Sequence, residues 1–387
     1  MKKILLSVLI SYALVACGGG SGGSSGGSSG GGWVENVTPA SPNPTPGSYN
    51  GVPYSQLGQP TGLTQSYPSS FLPNNLQIAY GNNSQEQVAN LTAYVNMGGA
   101  LCSATPVKYD STTNTTFLVG AAHCFVDTKD SPTTLTSSNL MPVGNLSIAY
   151  GVNASSAPIE SRFQVKAVYL PQNYCYGATF PVVINGETYK ECTNFSPTSG
   201  SGTQGNDIAV IQITGKYAYP ESYPQLATAS QYPAPYTMAP ILSIGYGVNT
   251  QSPLPNPSAS CGTSDKPCGT MFYVANYQYW QQDATGYHYL YNSYYNNSYA
   301  STPGYTSLIC GGDSGGGDLF WNGNNWLLLS EHTYGPAGAC GTFYSYLPNG
   351  ATNVSAYYGW IQSILNDANP VADCKSGTIA NCVTNGN

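Results

Sequence analysis

Cys310-Gly311-Gly312-Asp313-Ser314-Gly315-Gly316-Gly317 is the stretch whose residue types and spacing can do chemistry. A serine inside a run of glycines suits neither a helix nor an ordinary strand, because glycine weakens both through its backbone entropy. The cluster predicts a tight turn that holds Ser314 exposed and lets a substrate backbone come close. The amides of Gly312 and Ser314 can then converge on one small space, which is the geometry that stabilises an oxyanion as a nucleophile attacks a carbonyl. A glycine-rich loop alone is equally compatible with a plain turn, so this reading demands a base and a group to orient it.

The base is sought first among the histidines, of which the chain has three. His123 follows the apolar run Phe117-Leu118-Val119-Gly120-Ala121-Ala122 and precedes Cys124. A cysteine beside it, bridged to one on a neighbouring strand, fixes the backbone while leaving the imidazole free, as a general base requires. His288 and His332 stand in no comparable sequence setting. The orienting acid is Asp207, at the mouth of the apolar run Ile208-Ala209-Val210-Ile211-Gln212-Ile213. A carboxylate drawn inside by such a strand needs a hydrogen-bond partner, and His123 can be that partner.

These segments resemble the histidine, aspartate and serine motifs of the chymotrypsin/trypsin family of serine proteases, in the family's order along the chain. The resemblance covers roughly residues 78–365. It implies an all-β fold of two packed antiparallel β-barrels with a C-terminal helix, and a triad in which Ser314 attacks, His123 carries the proton and Asp207 holds the imidazole. It also implies an oxyanion hole from the Gly312 and Ser314 amides, with neither cofactor nor metal. Two family disulfides find counterparts in Cys102–Cys124, which closes the histidine loop, and Cys310–Cys340. The pocket for the residue before the scissile bond falls on Leu308, Ser330 and Thr342. Trypsin-type members place an aspartate where this chain has Leu308, so no Arg or Lys preference is expected, and small or apolar residues are expected instead. Glu331 and His332 stand where the family usually has Trp and Gly, with the option of placing charge at the pocket rim. Ile78 and Asp313 match the family's activation pair, in which a newly cut N-terminus meets the acid before the serine.

The elements around these residues follow from composition. Charged residues make up 7% of the chain, and Gly, Ser, Asn, Thr and 33 tyrosines take their place, which suits a protein outside the cytoplasm. The net charge of −7 and the absence of a basic patch argue against nucleic acid as a partner. Met1-Lys2-Lys3, the apolar run Ile4 to Ala16, and Cys17 have the architecture of an export signal too short to span a membrane. Its ending resembles a bacterial lipobox, which implies that Cys17 is acylated and anchors the chain to a membrane, the outer membrane or cell surface being expected. Ten of the 11 cysteines then remain, an even number for an oxidising compartment. Connectivity is open from sequence, and the nearest-neighbour choice adds Cys175–Cys192, Cys261–Cys268 and Cys374–Cys382 to the two bridges above.

Residues 18–74 read as a Gly/Ser- and Pro-rich tether. Short β-branched and aromatic runs then predict a first barrel over 75–225 and a second over 226–353. A helix is expected over 354–367, followed by a polar tail over 368–387 with one small disulfide loop. Leu146-Ser147-Ile148-Ala149-Tyr150-Gly151-Val152-Asn153 recurs as Leu242-Ser243-Ile244-Gly245-Tyr246-Gly247-Val248-Asn249, one copy for each expected barrel. Residues 174–203 look like an inserted loop. The expected function is a serine endopeptidase acting on protein or peptide substrates. A non-catalytic binding or adhesin lipoprotein on a protease-like scaffold is the alternative, and an esterase with the same machinery a lesser one.

Overall fold

A computed structural model describes residues 91–98, 100–126, 134–151, 154, 162–174, 206–217, 223–232, 241–247, 311–320, 322, 325–333 and 350–387. It also gives the backbone alone at 48–49, 52–53, 182–184, 187–189, 237–240, 272–282, 288–293, 321, 334 and 349.

The first sheet is antiparallel throughout. It comprises β1 (Ala93–Met97), β2 (Ala100–Asp110), β3 (Thr115–Gly120), β4 (Leu146–Ala149), β5 (Arg162–Pro171) and β6 (Ala209–Thr214). The strand order is β6-β3-β2-β1-β4-β5, and β6 pairs again with β5, closing a six-stranded barrel. Side-chain alternation fixes what each face meets. On β6, Ala209, Ile211 and Ile213 join Leu118, Phe163 and Val168 in the barrel's core. Val210 and the preceding Ile208 join a second core with Leu242, Ile244, Leu319 and Leu328. Burial on both faces explains the apolar run Ile208-Ala209-Val210-Ile211 after Asp207, since each fully buried Val or Ile contributes about 1.5–3 kcal/mol.

The second sheet contains β7 (Gln225–Leu226), β8 (Thr237–Gly245), β9 (Phe272–Gln282), β10 (His288–Ser293), β11 (Gly317–Trp321), β12 (Trp326–Tyr334) and β13 (Asn349–Asn353). Their order is β7-β12-β11-β8-β9-β10-β13, with an additional β12–β13 pairing. The recurring octapeptide places one copy in β4 and the other at the end of β8, and the copies touch, the Tyr246 hydroxyl donating to the Gly151 carbonyl at 3.0 Å.

A 3-10 turn over Val354–Tyr357 leads into α1 (Tyr358–Leu365), which buries Ile361, Ile364 and Leu365 in the core shared with the second sheet. Asn353 caps this entry by accepting the Ser355 amide, and the Lys108 ammonium meets the Leu365 carbonyl, where the helix dipole favours a cation. The C-terminal helix is therefore present, in a shorter α-helical form than expected. Among the described residues no helix is long and apolar enough to cross a membrane.

The expected polar tail is instead part of the fold. After α2 (Pro370–Ser376), Gly377 turns the chain in the left-handed conformation, and β14 (Cys382–Thr384) pairs antiparallel with the end of β5. The bridge Cys374–Cys382 closes this turn as expected, and Val383 enters the barrel core. Its polar sequence concealed this, because a three-residue strand needs few apolar anchors and leans on Asn385, whose side chain accepts the Val168 amide and donates to the Met141 carbonyl. Opening the bridge with Cys374→Ala and Cys382→Ala is expected to cost roughly 2–3 kcal/mol. Urea unfolding of the oxidised wild type and the double variant measures this. Equal midpoints would show that the bridge adds nothing to the stability of the fold.

Candidate active site

His123 sits in a 3-10 turn, Ala122–Cys124, directly after β3. Cys124 is bridged to Cys102 on β2, so the turn is tied covalently to the neighbouring strand. Asp207 sits just before β6, and strand register brings the two residues together. Ala209 pairs with Gly120, and the same antiparallel register continued beyond the strand ends sets Asp207 opposite Ala122. Asn206 holds the approach with a left-handed backbone (φ 63°), a conformation that asparagine tolerates. Its side chain accepts the Tyr357 hydroxyl at 2.9 Å and donates to the Asn173 carbonyl.

Asp207 is fully buried, and both its oxygens are used on one residue: Oδ1 accepts the His123 amide at 2.8 Å and Oδ2 the His123 ring Nδ1–H at 2.8 Å. A carboxylate acceptor assigns the proton to Nδ1, which leaves Nε2 with its lone pair. The His123 side chain is 18% exposed, so a buried acid orients a reachable base.

Ser314 lies in the loop 311–316, which is seated against the same strands. Its carbonyl accepts the Ser103 amide of β2 at 2.8 Å, and the Ser103 hydroxyl donates to the Gly312 carbonyl at 3.0 Å. Gly315 has φ +79°, and a Cβ there would stand 2.4 Å from the Ser103 carbonyl oxygen and 2.8 Å from the Ala121 nitrogen. Glycine is thus required both by the backbone conformation and by the close approach to the histidine turn. The amides of Gly312 and Ser314 meet no acceptor among the described residues. The Ser314 hydroxyl and Nε2 are not hydrogen-bonded in this structure. Asp313 is buried, and its Oδ1 accepts the Gly247 amide at 2.8 Å.

The expected pocket and rim residues divide differently. Leu308 and Thr342 lie outside the described residues, as do Ile78, Cys17 and the expected pairs Cys175–Cys192, Cys261–Cys268 and Cys310–Cys340. Ser330 is fully buried with its hydroxyl donating to Asp318 Oδ2 at 2.7 Å, so its side chain faces the sheet interior instead of lining an open pocket. Nor do Glu331 and His332 form a charged rim: they are 0% and 2% exposed. Strand alternation on β12 explains this division, since it turns Ser330 and His332 together toward Asp318 on β11.

Sequence reasoning missed the resulting pair. His332 Nε2 lies 2.9 Å from Asp318 Oδ1, which also accepts the Ser243 hydroxyl. The available signal was an acid opening the apolar strand Asp318-Leu319-Phe320, with polar residues two apart on the next strand. Among the described residues, Cys102, His123 and Cys124 have a metal-like proximity, but both sulfurs are consumed in the disulfide and offer no thiolate.

No protein-family model and no curated protein sequence matches this chain.

Glu331 is a buried acid without a hydrogen-bond partner on either carboxyl oxygen. Burial, and then the charges of Asp318 and Asp207, push its carboxyl well above the ordinary value of 4.5. The folded protein therefore holds a proton that the unfolded chain releases. Stability from this group is complete below the unfolded value and declines by about 1.4 kcal/mol per pH unit above it, until Glu331 ionises in the folded state. Glu331→Gln is expected to flatten that decline, measured by urea unfolding between about pH 5 and pH 8. An unchanged slope would mean that the native acid is charged and paired.

Proposed function

We propose that the chain is a serine endopeptidase working by the triad scheme of the chymotrypsin/trypsin family, with Ser314 as nucleophile, His123 as general base and acid, and Asp207 as the orienting carboxylate. The observation that carries this reading is the double hydrogen bond of buried Asp207 to the His123 amide and Nδ1, on a turn bridged to β2, the strand on which the Ser314 loop is seated. In the proposed reaction the Ser314 oxygen forms a bond to the scissile carbonyl carbon as its proton passes to Nε2. Asp207 stabilises the imidazolium, and the Gly312 and Ser314 amides receive the oxyanion. The C–N bond then breaks, the amine leaves with the proton from Nε2, and water, deprotonated by the same nitrogen, releases the acyl group.

The pairings of the second sheet support a second barrel packed on the first, because β12-β11-β8-β9-β10-β13 returns to β12 through its contact with β13. Leu308 supports a preference for small or apolar residues before the scissile bond, and Cys17 supports a lipid anchor at the outer membrane or cell surface. An activating cut before Ile78 would free an ammonium for Asp313 and also separate the domain from that anchor.

Ser314→Ala is expected to reduce peptide hydrolysis by about 10⁴- to 10⁶-fold, and Asp207→Asn by about 10⁴-fold, with folding retained. Fluorophosphonate labelling of the purified protein, before and after limited proteolysis, with mass-spectrometric mapping, is expected to place the label on Ser314. Labelling without processing removes the requirement for a cut before Ile78. A folded protein that stays unlabelled in both states refutes the peptidase reading in favour of the binding lipoprotein. Hydrolysis of a peptide library is expected to follow small or apolar residues, and strong cleavage after Arg or Lys contradicts that preference.

A further inference from the structure

We propose that His332, held as an imidazolium by Asp318, is the positioning residue that clamps the Ser314 loop, and that loss of its proton sets the alkaline limit of Ser314 reactivity. This rests on the reading of Ser314 as the nucleophile.

Hydrogen-bond chemistry assigns the charge. Nε2 faces the Asp318 carboxylate at 2.9 Å, and Nδ1 faces the Asp313 main-chain carbonyl at 3.2 Å. A carboxylate and a carbonyl can only accept, so both ring nitrogens must donate. Both Asp318 oxygens are engaged: Oδ1 also accepts the Ser243 hydroxyl, and Oδ2 the Ser330 hydroxyl. Both members of the pair are buried, His332 at 2% and Asp318 at 0% exposure.

The same residue grips the loop by its main chain. The His332 carbonyl accepts the Gly315 amide at 2.8 Å, and its amide donates to the Gly316 carbonyl at 2.8 Å. The ring and these two bonds therefore bracket Ser314, contacting residues 313, 315 and 316. The fit is close, for a Cβ on Gly316 would stand 3.0 Å from Nδ1. A neutral ring with its hydrogen on Nε2 would turn a lone pair toward the Asp313 carbonyl. With its hydrogen on Nδ1, it would turn one toward Asp318. Either arrangement replaces a bond by a repulsion in a buried place.

The electrostatic surroundings are consistent with this charge state. Burial disfavours the imidazolium, but the charge and hydrogen bond of Asp318, followed by those of Asp313, hold it above the usual imidazole value of 6.5. The loop contributes Asp313 and β11 contributes Asp318, while among the described residues of β8 the neutral Ser243 hydroxyl acts through Asp318. On β12 itself, Ser330 shares the same carboxylate, and the neighbouring Glu331 is held uncharged by burial. Across the ladder, β13 places Ala351 opposite His332.

The test combines histidine-selective nitrogen NMR of the full chain with the pH dependence of fluorophosphonate labelling at Ser314. His332 is expected to carry both ring protons at neutral pH and to lose one in the alkaline range. The Gly315 and Gly316 amide shifts, and the labelling rate, should follow with the same midpoint. Asp318→Asn preserves shape and removes the charge that retains the proton, so it should move the midpoint to lower pH. His332→Gln should slow labelling at neutral pH by about 10- to 100-fold, as expected for a displaced nucleophile, and abolish the midpoint. A neutral His332 at neutral pH overturns the proposal, as does a folded His332→Gln protein that keeps the wild-type rate and alkaline limb. If His332→Gln does not fold, the wild-type titration and Asp318→Asn decide the same question. Ser314 left unlabelled at every pH, while both glycine amides follow His332, would remove the peptidase reading and the reactivity limit while leaving the clamp in place.

Discussion

Buried peptide groups must be paired, and the arrangement of the candidate site depends on how the loop 311–316 meets that requirement. A loop with four glycines among its six residues has few side chains with which to anchor itself, Asp313 on the Gly247 amide being one, so its carbonyls and amides must find partners elsewhere. Ser103 serves it from the barrel, giving its amide to Ser314 and its hydroxyl to Gly312 while accepting the Tyr246 amide from the second sheet. His332 serves it from the opposite side with main chain and ring. The location of Ser314 is thus fixed by two packed sheets, and that of His123 by the bridge from β2 to the turn after β3. Because β2 takes part in both, the serine and histidine share one reference strand.

A chain with few charges has concentrated several of them in this interior. Two histidine–carboxylate pairs occupy different environments: the first leaves one imidazole nitrogen open, while the second has acceptors on both. The first imidazole is partly exposed, and the second is enclosed. Glu331, on the strand that carries His332, is pushed toward its neutral form by burial and then by the charges of Asp318 and Asp207. The three acids therefore differ in role through their surroundings alone.

Chemistry-bearing residues were the more legible part of the sequence. Asp207 was visible because the start of its strand is buried on both faces and reads as the apolar run Ile208-Ala209-Val210-Ile211, and His123 because a bridged cysteine stands beside it. The strand character of β3 and β6 followed from the same runs. The Asp318–His332 pair was invisible because its members lie on adjacent strands, and their meeting depends on the β11–β12 register, which a single sequence does not display. The direction of the Ser330 side chain was invisible for the same reason, since it follows from that register and not from its identity. The last strand escaped because its anchoring comes from an asparagine side chain and a disulfide, neither of which produces hydrophobic periodicity.

That last strand also has a consequence for the order in which the molecule can be assembled. Asn385 caps the Val168 amide across 217 residues of sequence, and β14 completes the far end of β5. A chain emerging N-terminus first, from a ribosome or through a membrane, leaves the end of β5 without this partner until the segment beyond α2 arrives. The six-stranded barrel can close once β6 has appeared, but the β14 ladder joins only after the loop bearing Ser314. Addition of β14 is therefore a late event in biogenesis, and a chain cut short before it carries every candidate catalytic residue without this flanking strand.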